Sequence, residues 1–257
     1  MKVAFIGIVK DGEAYIQKNL DALSVFGQDI YIVENNSVDN TKNIVQSYEK
    51  KKVIKKLVTL DLDDKSAADF CSDGTNALCP KRVRRLAYIR QQGLNAVLDS
   101  GIEYDYVCMV DLDFMSFDKN GLTDMFMYME ENRDVEGIFG MSKMNRYMAY
   151  DIGAVRPYRS LAPIWLRFHK YVPVTSAFSG FGIYRTSSIV RKGAKYDYEH
   201  IKDIEHIHFN SYFDTLVVDT AFNPVYKPDP MSNSLNFKRC MIIFMVLLAV
   251  VIFFRAK

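Results

Sequence analysis

Asp111 and Asp113 stand one residue apart, directly after the apolar run Val107-Cys-Met-Val110. Such a run reads as a buried strand, and open α/β sheets present their ligand-binding residues at strand carboxyl ends. Two carboxylates held this close repel one another unless a cation relieves them. Hard oxygen ligands of this kind suit Mg²⁺ or Mn²⁺, and either ion can bridge a diphosphate and take up charge on a departing phosphate. Two more polar clusters follow apolar runs in the same way: Lys10-Asp11-Gly12 after residues 2–9, and Glu34-Asn35-Asn36-Ser37 after Ile30-Tyr-Ile-Val33. If their strands lie parallel, the three clusters meet at one edge. That convergence is the main functional signal.

Each chemistry-bearing residue has a plainer alternative. The acids can be solvated loop residues, and the Arg90 guanidinium suits a phosphate or a base edge but can equally be an exposed helix charge. Gly180 and Gly182 allow close approach of backbone to a ligand, or mark a bulge. A strand-end DxD also serves phosphatases of the haloacid dehalogenase type, with Asp111 as the nucleophile. Those enzymes place the motif early and need a later acid pair with a lysine, a pattern this sequence does not supply.

The elements that must position these residues alternate strand-length apolar runs with helical stripes, the pattern of an α/β layer structure with a largely parallel sheet. Strand 2–9 leads to a helix with Tyr15, Ile16, Asn19, Leu20, Leu23 and Phe26 on one face, ended by Gly27. Strand 30–33 leads to a helix over 38–50, with Ser37 or Asp39 as its cap. A third strand is expected over 53–60, and a polar segment without period over 61–80. A helix over 82–98, a strand over 104–110, a helix over 122–131 and strands over 135–141, 178–184 and 215–219 follow.

The composition is 49% hydrophobic and 25% charged, which excludes disordered, collagen-like and multi-pass membrane chains. A net charge of +2 with no long basic stretch argues against nucleic acid as a partner. Four cysteines without CxxC spacing make neither a zinc site nor a disulfide framework, although Cys71 and Cys79 flank one loop. From Cys240 to Phe254 every residue is apolar, between Lys238-Arg239 and Arg255-Ala256-Lys257. As a helix these residues reach roughly 22 Å, short of a hydrocarbon core of about 30 Å but within the range that flanking basic side chains and thin membranes tolerate. The expectation is a membrane-anchoring helix at 240–254, a linker at 224–239 marked by Pro224, Pro228 and Pro230, and a catalytic domain at 1–223. With no signal peptide recognised, that domain is expected on the cytoplasmic side.

The order Val-Ala-Phe-Ile-Gly-Ile-Val-Lys-Asp-Gly-Glu, Ile-Tyr-Ile-Val-Glu-Asn-Asn-Ser, Arg84-Arg-Leu-Ala-Tyr-Ile-Arg90 and Val-Asp-Leu-Asp-Phe114 resembles glycosyltransferases of the GT-A fold. It is similar to family 2 enzymes and to fungal capsule-type mannosyltransferases. The resemblance implies a Rossmann-like three-layer sandwich, a nucleotide-sugar donor carrying UDP or GDP, Mn²⁺ or Mg²⁺ at Asp111 and Asp113, and a glycan, lipid or protein-linked acceptor. It places Lys10, Asp11, Glu34, Asn36, Arg90 and Asp111 on the donor. Glu34 stands where family 2 members usually have Asp. Gly180, Phe181 and Gly182 resemble a glycine loop near the acceptor. Asp203-Ile-Glu205-His206-Ile-His208 resembles the acidic element that supplies the base in inverting members, with Glu205 favoured over Asp203, and His206 or His208 completing the metal shell. The aromatic stretch Tyr147, Tyr150, Tyr158, Trp165, Phe168 and Tyr171 is a candidate acceptor lid. Asn35-Asn36-Ser37 is a formal glycosylation sequon whose glycan would block the donor pocket, which favours a cytoplasmic face. A Cys71–Cys79 disulfide would argue for an oxidising lumen instead.

Overall fold

The computed structural model describes residues 1–62, 80–143, 152–157, 169–201 and 203–226. Most of the polar segment with Cys71 and Cys79, the aromatic residues Tyr147, Tyr150, Tyr158, Trp165 and Phe168, and the apolar run 240–254 lie outside the described residues, whereas Tyr171 is described. Among the described residues, no helix is long and apolar enough to cross a membrane.

Strand β1 (Val3–Val9) is a continuous apolar run buried on both faces, as a central parallel strand requires. Helix α1 (Ile16–Ser24) turns Ile16, Asn19, Leu20 and Leu23 inward. Strand β2 (Asp29–Asn35) and helix α2 (Thr41–Lys50) repeat the unit. Strand β3 (Lys56–Leu60) begins three residues later than its apolar pattern suggests, because residues 51–53 terminate α2. Lys52 takes a left-handed φ of 60°, and the Val53 and Lys52 amides donate to Tyr48 O and Glu49 O, the bond pattern of a Schellman ending.

Helix α3 (Pro80–Leu98) follows, then β4 (Tyr106–Asp111), β5 (Phe114–Ser116) and α4 (Lys119–Glu131). Beyond them come β6 (Gly137–Gly140), β7 (Tyr171–Val174), β8 (Phe181–Arg185), α5 (Thr186–Lys192), α6 (Glu205–Asn210), β9 (Leu216–Asp219) and β10 (Val225–Tyr226). The main sheet has the order β3-β2-β1-β4-β8-β6-β9-β7, and β10 pairs with β5 in a second, two-stranded sheet. All strands of the main sheet run one way except β7 and β8, which are antiparallel to their neighbours. The packed domain thus continues at least to Tyr226, which is fully buried, past the boundary expected at residue 223.

Helices cover both faces. Apolar residues of α1, α2 and α4 pack on one side with Val3 and Phe5, and those of α3, α5 and α6 on the other with Ala4 and Ile6. Each large core side chain contributes about 1.5–3 kcal/mol by leaving water. α3 lies so close to β1 that a Cβ at Gly93 would press on Ile6. The chain moves outward from β1 to β2 and β3, then returns to β4 on the other side of β1. That reversal makes the carboxyl ends of β1 and β4 the switch point of the sheet, the place where such sheets bind ligands.

Candidate functional site

Ladder register brings the sequence clusters together. Ile8 pairs with Asp111 across β1 and β4, and Val9 pairs with Glu34 across β1 and β2. The two loops beyond these strands are laced to each other. The Asp11 amide donates to Ser37 Oγ at 3.0 Å, Asp11 Oδ1 accepts from the Val38 amide at 2.8 Å, and the Gly12 amide donates to Thr41 Oγ1 at 2.7 Å. Asp11 and Asn36 both hold left-handed φ values, 49° and 51°, at the tips of these turns. Lys10 is half-buried where β1 ends. Glu34 is fully buried; its Oε1 accepts from the Ser37 amide at 2.7 Å, and its buried Oε2 has no partner among the described residues. An unpaired buried carboxylate oxygen is costly. At this strand end it is an acceptor suited to an N–H from a ligand.

Tyr15, not singled out from the sequence as a site residue, stands at the seam of the same loops. Burial, then the charges of Asp113, Asp39 and Asp11, push its phenol up to about 12, so it stays a protonated donor among acids. Its position one turn after a strand-end cluster was the available signal.

Beyond β4, Arg90 of α3 donates through Nη2 to Asp111 Oδ1 at 2.8 Å and through Nε to Glu205 Oε1 at 3.3 Å. Arg90 is 4% exposed, and its guanidinium stacks over Phe178 with Cζ 4.8 Å from the ring centre. Burial works against its charge, but Asp111 and then Glu205 outweigh that and hold its pKa above the ordinary arginine value. Arg90 is therefore a buried bridge between two carboxylates, not an exposed helix charge. Asp113 is exposed on the turn that follows β4. Burial and then the Asp111 charge push it up to about 6, with Arg90 opposing.

The main chain of the acid turn is held from several sides. The Asp111 amide donates to Gly180 O at 2.9 Å, and the Tyr226 hydroxyl donates to Asp111 O at 3.2 Å. Gly180 has a φ of 83°, and a Cβ there would overlap the Tyr226 hydroxyl. Ser142 secures the same corner by bonding Ser179 Oγ and Ser179 O. Between the two acids, Leu112 points inward and fills the space that a side chain at Gly7 would need.

The acceptor expectation falls on residues 180–182, which these contacts place against the Asp111 turn and inside the sheet. Phe181 is fully buried, with its ring packed against Phe114, Phe117 and Phe222, so it has no free face for a sugar. Gly182 pairs with Met109 inside the sheet and gives room to Phe139. Gly180 acts on the backbone of Asp111. β8 inserts antiparallel between β4 and β6, a pairing that local sequence does not reveal.

Asp203 and Glu205 part company. Asp203 is exposed, accepts from the Ile204 amide at 2.8 Å and pairs with Arg156 at 3.5 Å. Glu205 is buried and joins Arg90. His206 stacks on Phe178 at 3.5 Å between ring centres, with Nδ1 3.2 Å from the Tyr196 hydroxyl and Nε2 3.8 Å from Glu205 Oε1. Burial, aided by Arg90, holds its pKa well below the usual histidine range, so it is neutral. His208 packs edge-on against Tyr212, 5.9 Å away between centres. Among the described residues, no three His, Cys, Asp or Glu side chains converge as a cation site, so His208 is not gathered with the acid pair. Among the described residues, Asp111 and Asp113 are two hard carboxylates in mutual repulsion. Such a set fits Mg²⁺ or Mn²⁺ whose remaining positions are filled by ligand oxygens and water.

No protein-family model matches the chain, and no curated protein does. Solved structures do. Staphylococcus aureus TarS 1-349 in complex with UDP matches at TM-score 0.54 and 19% identity, over 90% of this chain and 61% of that one. The mannosyltransferase PcManGT from Pyrobaculum calidifontis, in complex with GDP-Man and Mn²⁺, matches at 0.55 and 12%, over 89% and 57%. Glucosyl-3-phosphoglycerate synthase from Mycobacterium tuberculosis, in complex with Mg²⁺ and UDP, matches at 0.51 and 10%, over 90% and 73%. At these identities the likeness establishes the fold, the GT-A arrangement that the sequence resemblance implied. This chain spans 61% of TarS 1-349.

Proposed function

We propose that this chain is a divalent-cation-dependent glycosyltransferase moving a sugar from a nucleoside-diphosphate donor to an acceptor hydroxyl. The observation that carries the reading is the meeting of the β1, β2 and β4 ends at the switch point, with Asp111 and Asp113 beside the buried Arg90–Glu205 pair. Solved structures of the same fold hold UDP, GDP-Man, Mn²⁺ and Mg²⁺, which supports donor and cation of those classes here.

In this reading Asp111 and Asp113 hold the cation, which when bound offsets the negative charge of the leaving diphosphate. Lys10, Asp11, Asn36 and Glu34 line the nucleotide end, with Glu34 Oε2 as the acceptor for a base or ribose donor. Arg90 fixes the Asp111 carboxylate and, through its other edge, Glu205. Among the described residues both Glu205 contacts fall on Oε1, so Oε2 is the atom assigned to take the acceptor's proton in an inverting transfer. Fixing these groups in advance is the main catalytic contribution of the chain.

The apolar run 240–254 is proposed as a membrane anchor that keeps the catalytic domain at the cytoplasmic face. The activity is tested by release of UDP or GDP from a panel of nucleotide sugars with Mn²⁺. Cation-dependent release that Asp113→Asn abolishes is the expected result, and release unchanged in that variant refutes the proposal.

A further inference from the structure

Helix α1 buries an apolar stripe of Ile16, Leu20 and Leu23, and in the middle of that stripe is a polar residue, Asn19, with no exposed surface. An amide in such a place is unfavourable unless its hydrogens find partners. Those of Asn19 do: Nδ2 donates to Leu112 O at 2.7 Å and to Phe114 O at 2.8 Å, the carbonyls immediately before and after Asp113, while its buried Oδ1 has no partner among the described residues, so the two donated bonds are what the amide is held by. The preceding residue, Lys18, adds a bond from Nζ to Met115 O at 2.8 Å. The turn from β4 to β5 is therefore tied along its outer edge to α1, while Leu112 is wedged against Gly7 beneath it.

We infer that Asn19 is a positioning residue for Asp113, fixing the turn so that its carboxylate is held beside Asp111 for a divalent cation. The inference rests on the proposed role of Asp113. Residue chemistry explains the choice of side chain. A carboxamide offers two donors on one nitrogen without charge, a carboxylate offers none, and leucine of similar size leaves both carbonyls unpaired in the interior. The turn is short and its acids repel one another, so without the two bonds the turn is free to shift and carry the exposed Asp113 carboxylate away from Asp111. Cation affinity falls before the fold is lost, as it does when groups supporting a metal ligand are removed.

The test titrates the full-length chain with Mn²⁺ in the presence of UDP, following free Mn²⁺ by electron paramagnetic resonance, with denaturant unfolding and donor turnover measured in parallel. Asn19→Leu is expected to bind Mn²⁺ about tenfold or more weakly and to lower kcat more than it raises the donor KM. Lys18→Met, whose bond is at the exposed surface, is expected to shift Mn²⁺ affinity in the same direction by a smaller factor without a loss of stability. A folded Asn19→Leu with wild-type Mn²⁺ affinity overturns the inference. If Asn19→Leu does not fold, Lys18→Met decides, and wild-type Mn²⁺ affinity there overturns it. Asp113→Asn in the same titration separates the two levels: if it binds Mn²⁺ like the wild type, the reading of Asp113 fails, whatever Asn19 does.

Discussion

Arg90 and Asp111 meet through a 2.8 Å bond from Nη2 to Oδ1, with Arg90 buried and its Nε turned to Glu205. One buried guanidinium thus joins α3, β4 and α6 at the switch point of the sheet. Removing one partner of such an arrangement leaves charge unpaired in the interior, typically at a cost of about 3–5 kcal/mol. Arg90→Met is expected to destabilise the fold by that order in denaturant titration and to abolish turnover. Arg90→Lys is expected to recover stability in part and little activity, because an ammonium cannot present two separate edges to two carboxylates. Equal activity in Arg90→Lys and wild type would show that the bridge is not needed.

Glu205→Gln retains size and hydrogen-bonding capacity but cannot accept a full proton. Removal of a general base lowers rate by about 10²- to 10⁴-fold. The expected outcome is a kcat reduced by that order with nucleotide affinity unchanged, read by steady-state kinetics and calorimetry. A wild-type kcat removes Glu205 from the mechanism.

Gly180→Ala places a Cβ on the Tyr226 hydroxyl at a φ of 83°, so either the hydroxyl leaves Asp111 O or the turn moves. Backbone strain of this kind costs on the order of 1–3 kcal/mol. Lower stability and a raised cation requirement are expected together. Tyr226→Phe, which removes the bond without the overlap, is expected to show the smaller effect of the two.

Glu136 lies at the opposite end of the sheet, buried, accepting from Lys192 Nζ at 3.0 Å, Arg191 Nη2 at 2.9 Å and the Asp214 amide at 2.7 Å. Burial alone would raise its pKa, but the Asp214 amide and then Lys192 outweigh it and hold the carboxyl below its ordinary value. A depressed folded pKa means the contribution is complete above the unfolded glutamate value and disappears as pH falls through the folded one. Glu136→Gln is expected to cost about 1–3 kcal/mol near neutral pH and to flatten the acid limb of the stability curve. An acid limb identical to wild type would show that another group controls it.

Much of this was legible in the sequence where the physics is local. Buried runs such as residues 3–9 and 106–110 announce parallel strands because both faces are covered, and the clusters at Asp11, Glu34 and Asp111 mark their ends. Arg90 was a candidate through the resemblance, as the arginine of the helix that precedes the acids, but only the fold shows it buried between two carboxylates. The roles of Gly180 and Tyr226 were hidden, since they depend on β8 entering between β4 and β6 and on β10 folding back onto β5. Asn19 left a trace, a lone polar residue in an apolar stripe, whose meaning appears only when the β4–β5 turn lies against it. Phe181 and Gly182 show the reverse case, because a glycine pair that looks like a ligand loop is surrounded here by aromatic packing that depends on distant strands.

The most direct measurement is the thermal unfolding midpoint of the wild type and of Asp113→Asn with UDP or GDP, each with and without Mn²⁺. A ligand that binds only the folded chain raises the midpoint, by about 2.7 kcal/mol of added stability at a hundredfold excess over Kd. The expected result is a rise for the wild type with nucleotide and Mn²⁺ together, largely absent without Mn²⁺ and absent in Asp113→Asn. Equal shifts in both proteins, or none in the wild type with either nucleotide, would contradict a cation-bridged donor at the end of β4.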